Sequence, residues 1–185
     1  MYGVDYLDTF APVAKLSTVR VHLSLVAILG WQLHQYDVKN AFLHGDLEKE
    51  VYMDLPPGYD SPNQNKVVCK LNKSLYGLKQ SPRAWFGRFT MVMLGQGYRQ
   101  SQVDHTLFVH HSARGGVTIL IVYVDIVITG NDEEGMHRLR ECLISEFEIK
   151  DLGRLKYFLG TEVAHSTEGI FISQQKYIID FLTET

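Results

Sequence analysis

Cysteine is scarce in this chain of 185 residues, which contains only Cys69 and Cys142. The two are far apart and fit neither a zinc-binding nor a redox spacing. We therefore interpret both as buried thiols in a reducing compartment, which favours an intracellular protein. The eight histidines also form no pair with the spacing of metal ligands.

Long apolar runs are lacking as well. No segment reaches the roughly 18 uninterrupted apolar residues that a membrane span needs, and the first residues do not combine a basic start with an apolar run as a signal peptide does. We expect no membrane partner. The composition, 45% hydrophobic and 11% aromatic, is sufficient for one domain with a substantial core.

Acidic residues are missing from one stretch, residues 61–103. This basic segment contains seven cations: Lys66, Lys70, Lys73, Lys79, Arg83, Arg88 and Arg99. Tyr76, Trp85 and Phe86 lie among them. Interleaved basic and aromatic residues are typical of a nucleic-acid-binding surface. The alternative is an ordinary solvated face, which charge bias alone favours.

The stretch at 121–129, with the sequence IVYVDIVIT, consists of β-branched and aromatic residues interrupted by Asp125. It predicts two buried strands joined by a tight turn at the Asp. An ionised carboxylate in apolar surroundings usually binds a cation, pairs with a base or caps a turn. All three alternatives remain open for Asp125.

A second carboxylate, Asp37, ends another predicted strand at 32–38. If both strands belong to one sheet, the two carboxylates can meet at one end of it. Two divalent ions about 3.5–4 Å apart, held mainly by carboxylate oxygens, form the usual site for phosphoryl transfer.

The remaining pattern predicts an α+β fold, an antiparallel sheet with helices packed on one face. Helices are expected from Ser17, from Ser81 with that serine as N-cap and Pro82 in the first turn, from 131–134 and from Gln174. Short strands are expected at 50–54, 67–71, 106–110 and 117–124, and a hairpin at 155–163 and 170–173.

Several longer motifs resemble the reverse transcriptase of copia-type LTR retrotransposons, over nearly the whole chain. They are TFAPV at 9–13, DVKNAFLHG at 37–45, LYGLKQSPRAW at 75–85, YVD at 123–125, KDLG at 150–153 and YFLG at 157–160. Long motifs in a fixed order are far more specific than one short pattern.

The resemblance implies a polymerase palm-like sheet with part of the fingers and no thumb, within a Pol polyprotein. Residues 1–185 would be one reverse transcriptase domain: about 1–30 and 50–80 on the fingers side, about 31–49 and 81–165 in the palm, and 166–185 starting the thumb or connection. The implied partners are an RNA template, a DNA primer and a deoxynucleoside triphosphate. A cytoplasmic particle or the nucleus would be the location.

The resemblance also implies roles for individual residues. Asp37 and Asp125 would be catalytic and would bind two Mg²⁺ or Mn²⁺ ions with the backbone carbonyl of Val38. The nucleotide would contact Ala41, Phe42, Tyr76, Lys79 and Gln80. Template and primer would contact Ser81, Pro82, Arg83, Tyr123, Tyr157, Phe158, Leu159 and Gly160. Lys150 is a candidate general acid, or a surface lysine, and Phe42 either excludes a 2′-hydroxyl or is a core aromatic.

The chain departs from the family at its third motif. The family has Tyr-Val-Asp-Asp, whereas Ile126 follows Asp125 directly. We therefore expect a site with two of three carboxylates, little or no polymerase activity, and a tightened or re-registered turn. The short segment before TFAPV and the lack of a following thumb and RNase H region suggest an internal fragment. Three hypotheses remain: a damaged polymerase, a non-catalytic nucleic-acid-binding remnant, and a relic that does not fold alone.

Overall fold

A computed structural model of the chain describes residues 13–47, 49–59 and 67–183. Most of the TFAPV block and Lys66 lie outside them. The described residues form two compact units, one comprising Asn40–Met91 and the other Val13–Lys39 with the chain from Val92 onward. The division into fingers, palm and thumb remains a prediction.

The elements follow one another along the chain. They are α1 (Leu16–Leu29), β1 (Gln32–Val38), a 3₁₀ helix (Ala41–His44), β2 (Tyr52–Asp54), β3 (Val68–Lys70), α2 (Ser81–Gly95), β4 (Arg99–Gln100), β5 (Leu107–His111), β6 (Val117–Val122), β7 (Ile126–Gly130), α3 (Glu133–Glu146), β8 (Ile149–Arg154), β9 (Tyr157–Phe158), β10 (Thr161–His165), β11 (Ile170–Ser173) and α4 (Gln175–Thr183).

The larger unit is built on a six-stranded antiparallel sheet in the order β4-β5-β6-β7-β1-β8. β7 is buried along its whole length, as its apolar sequence predicts. The tight turn at residues 123–125 is confirmed, because β6 ends at Val122 and β7 begins at its partner Ile126. β8 was not predicted, because its exposed polar residues give no apolar alternation.

Helices pack on both faces of this sheet, which corrects the prediction of one covered face. α1 joins a core cluster with Leu33 and Val127, whereas α3 lies beside Tyr36 and Ile128. Side chains alternate between faces along a strand, so these two pairs point in opposite directions. α1 and α3 therefore cover opposite faces of the sheet.

Three short strands, in the order β11-β10-β9, form a second antiparallel sheet in the larger unit. Phe158 of β9 and Val163 of β10 join the α1 core cluster. The predicted hairpin at 155–163 and 170–173 is confirmed in part, because β10 and β11 pair but β10 extends to His165. The second sheet thus shares the core of the first.

The smaller unit contains the paired strands β2 and β3 and the first turns of α2. Trp85 and Phe89, one helical turn apart, are fully buried with their ring centroids 5.5 Å apart. Cys69 and Cys142 are free and half-buried, which corrects the prediction that both are buried. Within the described ranges, no helix combines the length and apolar character needed to cross a membrane.

Candidate metal site and nucleic-acid interface

Asp37 and Asp125 reach the same end of the six-stranded sheet. β1 and β7 are antiparallel neighbours, and their last residue pair at this end is Tyr36 with Ile126. Beyond this pair, Asp37 follows Tyr36 in β1 and Asp125 precedes Ile126 in the turn, so the two are near enough to influence each other electrostatically. The structure brings the two predicted carboxylates together, and metal binding by them stays a prediction.

The two carboxylates influence each other electrostatically. Burial raises the pKa of Asp125, the negative charge of Asp37 raises it further, and a hydrogen bond from Gln35 opposes both effects without cancelling them. A cation between the carboxylates would remove the repulsion and favour the ionised form. The geometry therefore suits a positively charged ligand at this end of the sheet.

The carboxylate of Asp125 accepts a hydrogen bond from a residue on the neighbouring strand. Gln35 Nε2 lies 2.7 Å from Asp125 Oδ2, while the turn itself is closed by the backbone bond from Tyr123 N to the Asp125 carbonyl, 3.0 Å. We therefore set aside the turn-capping alternative. Sequence reasoning missed Gln35, although a polar residue between the strand positions of Leu33 and Asp37 was a usable signal.

The available donors fit a divalent cation only in part. Two carboxylates and a backbone carbonyl at Val38 are the hard oxygen donors that Mg²⁺ and Mn²⁺ prefer. Within the described residues, however, no three His, Cys, Asp or Glu side chains form a metal-binding group. Asp132 does not supply the third, because its Oδ1 caps α3 by accepting from Gly135 N at 3.0 Å.

Lys150 lies directly across from Asp37 on β8. Directly opposed residues of antiparallel strands share a face, with Cβ atoms about 4.5–5.5 Å apart. The candidate general acid Lys150 is thus opposite the candidate metal ligand Asp37. This pairing could not be predicted, because the two residues are far apart in the sequence. Tyr123, half-buried, packs against the α1 core cluster from the turn.

The four residues of YFLG differ in what their side chains can reach. Tyr157 is 39% exposed, whereas Phe158 is only 4% exposed and belongs to the core. The ring of Phe158 fills the core, and the contact of this segment with a primer stays a prediction. Leu159 and Gly160 both have positive φ, 48° and 73°, and they turn the chain from β9 into β10.

The predicted nucleotide contacts lie in the smaller unit. Ala41 is fully buried, and its contact with a nucleotide stays a prediction. Phe42 is half-buried and its ring centroid lies 4.8 Å from that of Tyr76, which is 56% exposed. The two rings thus form an aromatic pair with one exposed member. Both interpretations of Phe42 remain open.

The start of α2 combines exposed and buried residues. Lys79, Gln80 and Arg83 are exposed and Pro82 is half-buried. Ser81 is fully buried, and its hydroxyl donates to the Leu75 carbonyl at 2.6 Å. This corrects the predicted N-cap, because the Ser81 side chain closes the preceding turn, whereas its template contact stays a prediction.

The basic segment is partly neutralised by acidic residues from outside it. Lys70 pairs with Glu50, and Asp46 pairs with both Lys73 and Arg88. The hydrogen bond from Lys73 lowers the pKa of Asp46 despite some burial. The fold therefore supplies the anions that the segment lacks, and these three cations fit the solvated-face alternative better than a nucleic-acid contact.

The comparisons with known proteins cover the whole chain. Residues 1–185 match the model of the reverse transcriptase (RNA-dependent DNA polymerase) family. The chain belongs to this family, as its motifs predicted.

The similar proteins are transposon proteins, two of them Pol polyproteins. The chain is 42% identical, over 99% of its length, to the retrovirus-related Pol polyprotein from transposon RE1 of Arabidopsis thaliana, and 40% identical, over 95%, to that from transposon TNT 1-94 of Nicotiana tabacum. It spans 12% and 14% of those two proteins. It is also 27% identical, over 80% of its length, to the putative transposon Ty5-1 protein YCL074W of Saccharomyces cerevisiae, of which it spans 49%.

Proposed function

We propose that the chain is the palm-side portion of an RNA-directed DNA polymerase that acts by two-metal nucleotidyl transfer, and that its own activity is little or none. The observation that carries the proposal is the meeting of Asp37 and Asp125 at the end of β1 and β7. Family membership supports the reaction. The donor set, with two carboxylates, supports the loss of activity.

Asp37, Asp125 and the carbonyl of Val38 would hold the divalent ions. When bound, such ions lower the pKa of the primer 3′-hydroxyl and neutralise the triphosphate charge. Lys150, across from Asp37, would give a proton to the leaving pyrophosphate.

Other residues would bind and orient the substrates. Phe42 would exclude a ribose 2′-hydroxyl by its bulk, and Tyr76 would support it through their ring contact. Lys79 and Arg83 would bind phosphates as exposed cations, and Gln80 would lie near the templating base. Tyr157 would contact the primer end.

The test is primer extension on an RNA template with Mg²⁺ or Mn²⁺. The chain is compared with a version that has Asp inserted between Asp125 and Ile126, both fused to the flanking polymerase segments of an active relative. We expect extension only from the repaired version, and Asp37→Asn should abolish it. Extension by both would show that two carboxylates suffice. Extension by neither would contradict the proposal that the absent second Asp is what removes the activity.

The second candidate function is metal-independent binding of nucleic acid by a non-catalytic remnant. The incomplete donor set favours it, together with the exposed cations Lys79 and Arg83 beside the exposed ring of Tyr76. Binding that persists in EDTA, is unchanged in Asp37→Asn and weakens steeply with salt would support this candidate over the polymerase.

A further inference from the structure

Gln35 is a buried amide beside the candidate metal site. Its side chain is on β1, two residues before Asp37, and only 6% of the residue is exposed. Nε2 lies 2.7 Å from Asp125 Oδ2 and 3.0 Å from the backbone carbonyl oxygen of Tyr157. One amide nitrogen therefore joins the turn after β6 to strand β9.

The chemistry of the two neighbours fixes the orientation of this amide. A carboxylate and a carbonyl are both acceptors, so the group between them must donate twice, which the NH₂ of a glutamine does. A glutamate would add a third negative charge beside Asp37 and Asp125. A leucine of similar size would remove this donor from both acceptors, whose hydrogen bonds are partly buried.

The strand pairing next to Gln35 is irregular. The pairing of β1 with β8 shifts register between Gln35 and Tyr36, opposite Gly153 at φ 77°. Such bulges commonly lie next to active sites and redirect a side chain. Here the extra residue is Leu152 of β8, between Gly153 opposite Gln35 and Asp151 opposite Tyr36, so the irregularity lies beside Gln35 on the neighbouring strand.

The hydrogen bond from Gln35 to the Tyr157 carbonyl is made at the edge of the three-stranded sheet. Among the described strands β9 pairs with β10 alone, as the outer strand of the three-stranded sheet. The Tyr157 carbonyl that accepts from Gln35 is therefore satisfied by a side chain of the other sheet. Gln35 thus connects the two sheets of the larger unit at the candidate site.

We propose that Gln35 is a positioning residue that holds the Asp125 carboxylate and the β9 backbone in one fixed arrangement. Its amide occupies Oδ2 of Asp125, so that Oδ1 is the oxygen presented to a cation. Tyr157 is held at a fixed distance from that carboxylate by the same nitrogen. The cation part of this inference rests on the proposed function, whereas the hydrogen-bond part does not.

The first measurement is made on the unaltered, metal-free chain. The side-chain NH₂ of Gln35 should exchange with solvent at least tenfold more slowly than that of Gln32, an exposed glutamine on the same strand. NMR spectroscopy of the two side-chain amides gives this ratio directly. Equal exchange rates would overturn the proposal without any need for a variant to fold.

The second measurement is Mn²⁺ affinity by electron paramagnetic resonance. Gln35→Leu should weaken Mn²⁺ binding about tenfold or more, the usual effect of removing a residue that orients a metal ligand. The backbone amide signals of Tyr157 and Phe158 should shift in the same variant. Gln32→Leu, the matched control, should change neither quantity.

The outcomes separate this inference from the proposed function. If the Gln35 amide is protected but folded Gln35→Leu binds Mn²⁺ like the unaltered chain, Gln35 is merely structural and the positioning role is wrong. If the unaltered chain itself binds no Mn²⁺, the proposed metal site fails. In that case the protection of the Gln35 amide and the shift of the Tyr157 signal still decide whether the link to β9 exists.

Discussion

Asp37 and Lys150 are directly opposite each other on the adjacent strands β1 and β8. The pairing places one cation beside the pair of carboxylates at the end of the sheet. A positive charge on that side chain has two opposing effects on the site. It repels a bound metal ion, and it is available to donate a proton to a departing anion.

We expect Lys150→Gln to strengthen Mn²⁺ binding by about threefold at low salt, because it removes a unit charge several ångströms from the site in a largely aqueous surrounding. Titration of Mn²⁺ into the variant and the unaltered chain measures this. The gain should shrink as salt is added. Lys150→Arg keeps the charge and should bind Mn²⁺ as the unaltered chain does. Weaker binding in Lys150→Gln would show instead that the lysine helps to organise the carboxylates.

A second prediction concerns the exposed cations at the start of α2. Arg83→Gln should weaken binding to an RNA–DNA hybrid and reduce the slope of log K against log salt by about one, the loss of a single phosphate contact. Lys70→Gln is the matched control, because Lys70 pairs with Glu50, and it should leave the slope unchanged. Fluorescence anisotropy over a salt series measures both slopes. An equal effect of the two substitutions would indicate a diffuse electrostatic surface.

Local pattern was sufficient for the strands that carry the site. β1 was predicted with its observed bounds, and the turn at 123–125 followed from one carboxylate in an apolar run. Contacts between distant residues were not predictable in this way. Gln35 reaches Tyr157 across 122 positions. α1 begins at Leu16, one residue before the predicted Ser17. At this helix start the backbone N–H of Lys15 donates to the distant Asp104 carboxylate, 2.9 Å away.

The ion pairs of the basic segment were not predictable from the sequence either. The stretch 61–103 contains no acidic residue, yet the fold brings Asp46 and Glu50 to Lys73 and Lys70. A count along the sequence cannot include partners that approach only on folding. The pair of Asp37 and Asp125 differed, because each stands at the end of an apolar strand pattern and the family motifs also specify both as individual residues.

A third prediction concerns Gly45, the last residue of the DVKNAFLHG motif. A Cβ at this position would lie 2.7 Å from both Trp85 N and Ser74 Oγ. Gly45→Ala should therefore destabilise the smaller unit by about 1–3 kcal/mol, the usual cost of overpacking. Denaturant unfolding followed by tryptophan fluorescence measures this change.

Gly87→Ala provides the control for this prediction. Gly87 lies within α2, and a Cβ there meets nothing within 4 Å. Alanine at such a helical site should stabilise by about 0.5–1 kcal/mol. If Gly45→Ala were also neutral or stabilising, the close approach of the motif to α2 would be contradicted.

A fourth prediction concerns acid stability and His22. This side chain belongs to the buried residues of α1 and is only 6% exposed. Its Nε2 has no hydrogen-bond partner among the described residues. Burial lowers the pKa of His22 from 6.5 to about 4. The folded state therefore keeps the imidazole neutral in a range where the unfolded chain protonates it.

The free energy of unfolding should accordingly be unaffected by His22 above about pH 6.5 and fall as the pH decreases toward 4. The unfolded chain binds the extra proton over that range, and the total loss is about 3 kcal/mol. Urea denaturation at a series of pH values measures the slope. His22→Leu should flatten it between pH 6.5 and 4, whereas His105→Leu, at an exposed position, should leave it unchanged. An equally steep slope in His22→Leu would mean that other groups cause the acid sensitivity and that the buried imidazole is already protonated or solvated in the folded chain.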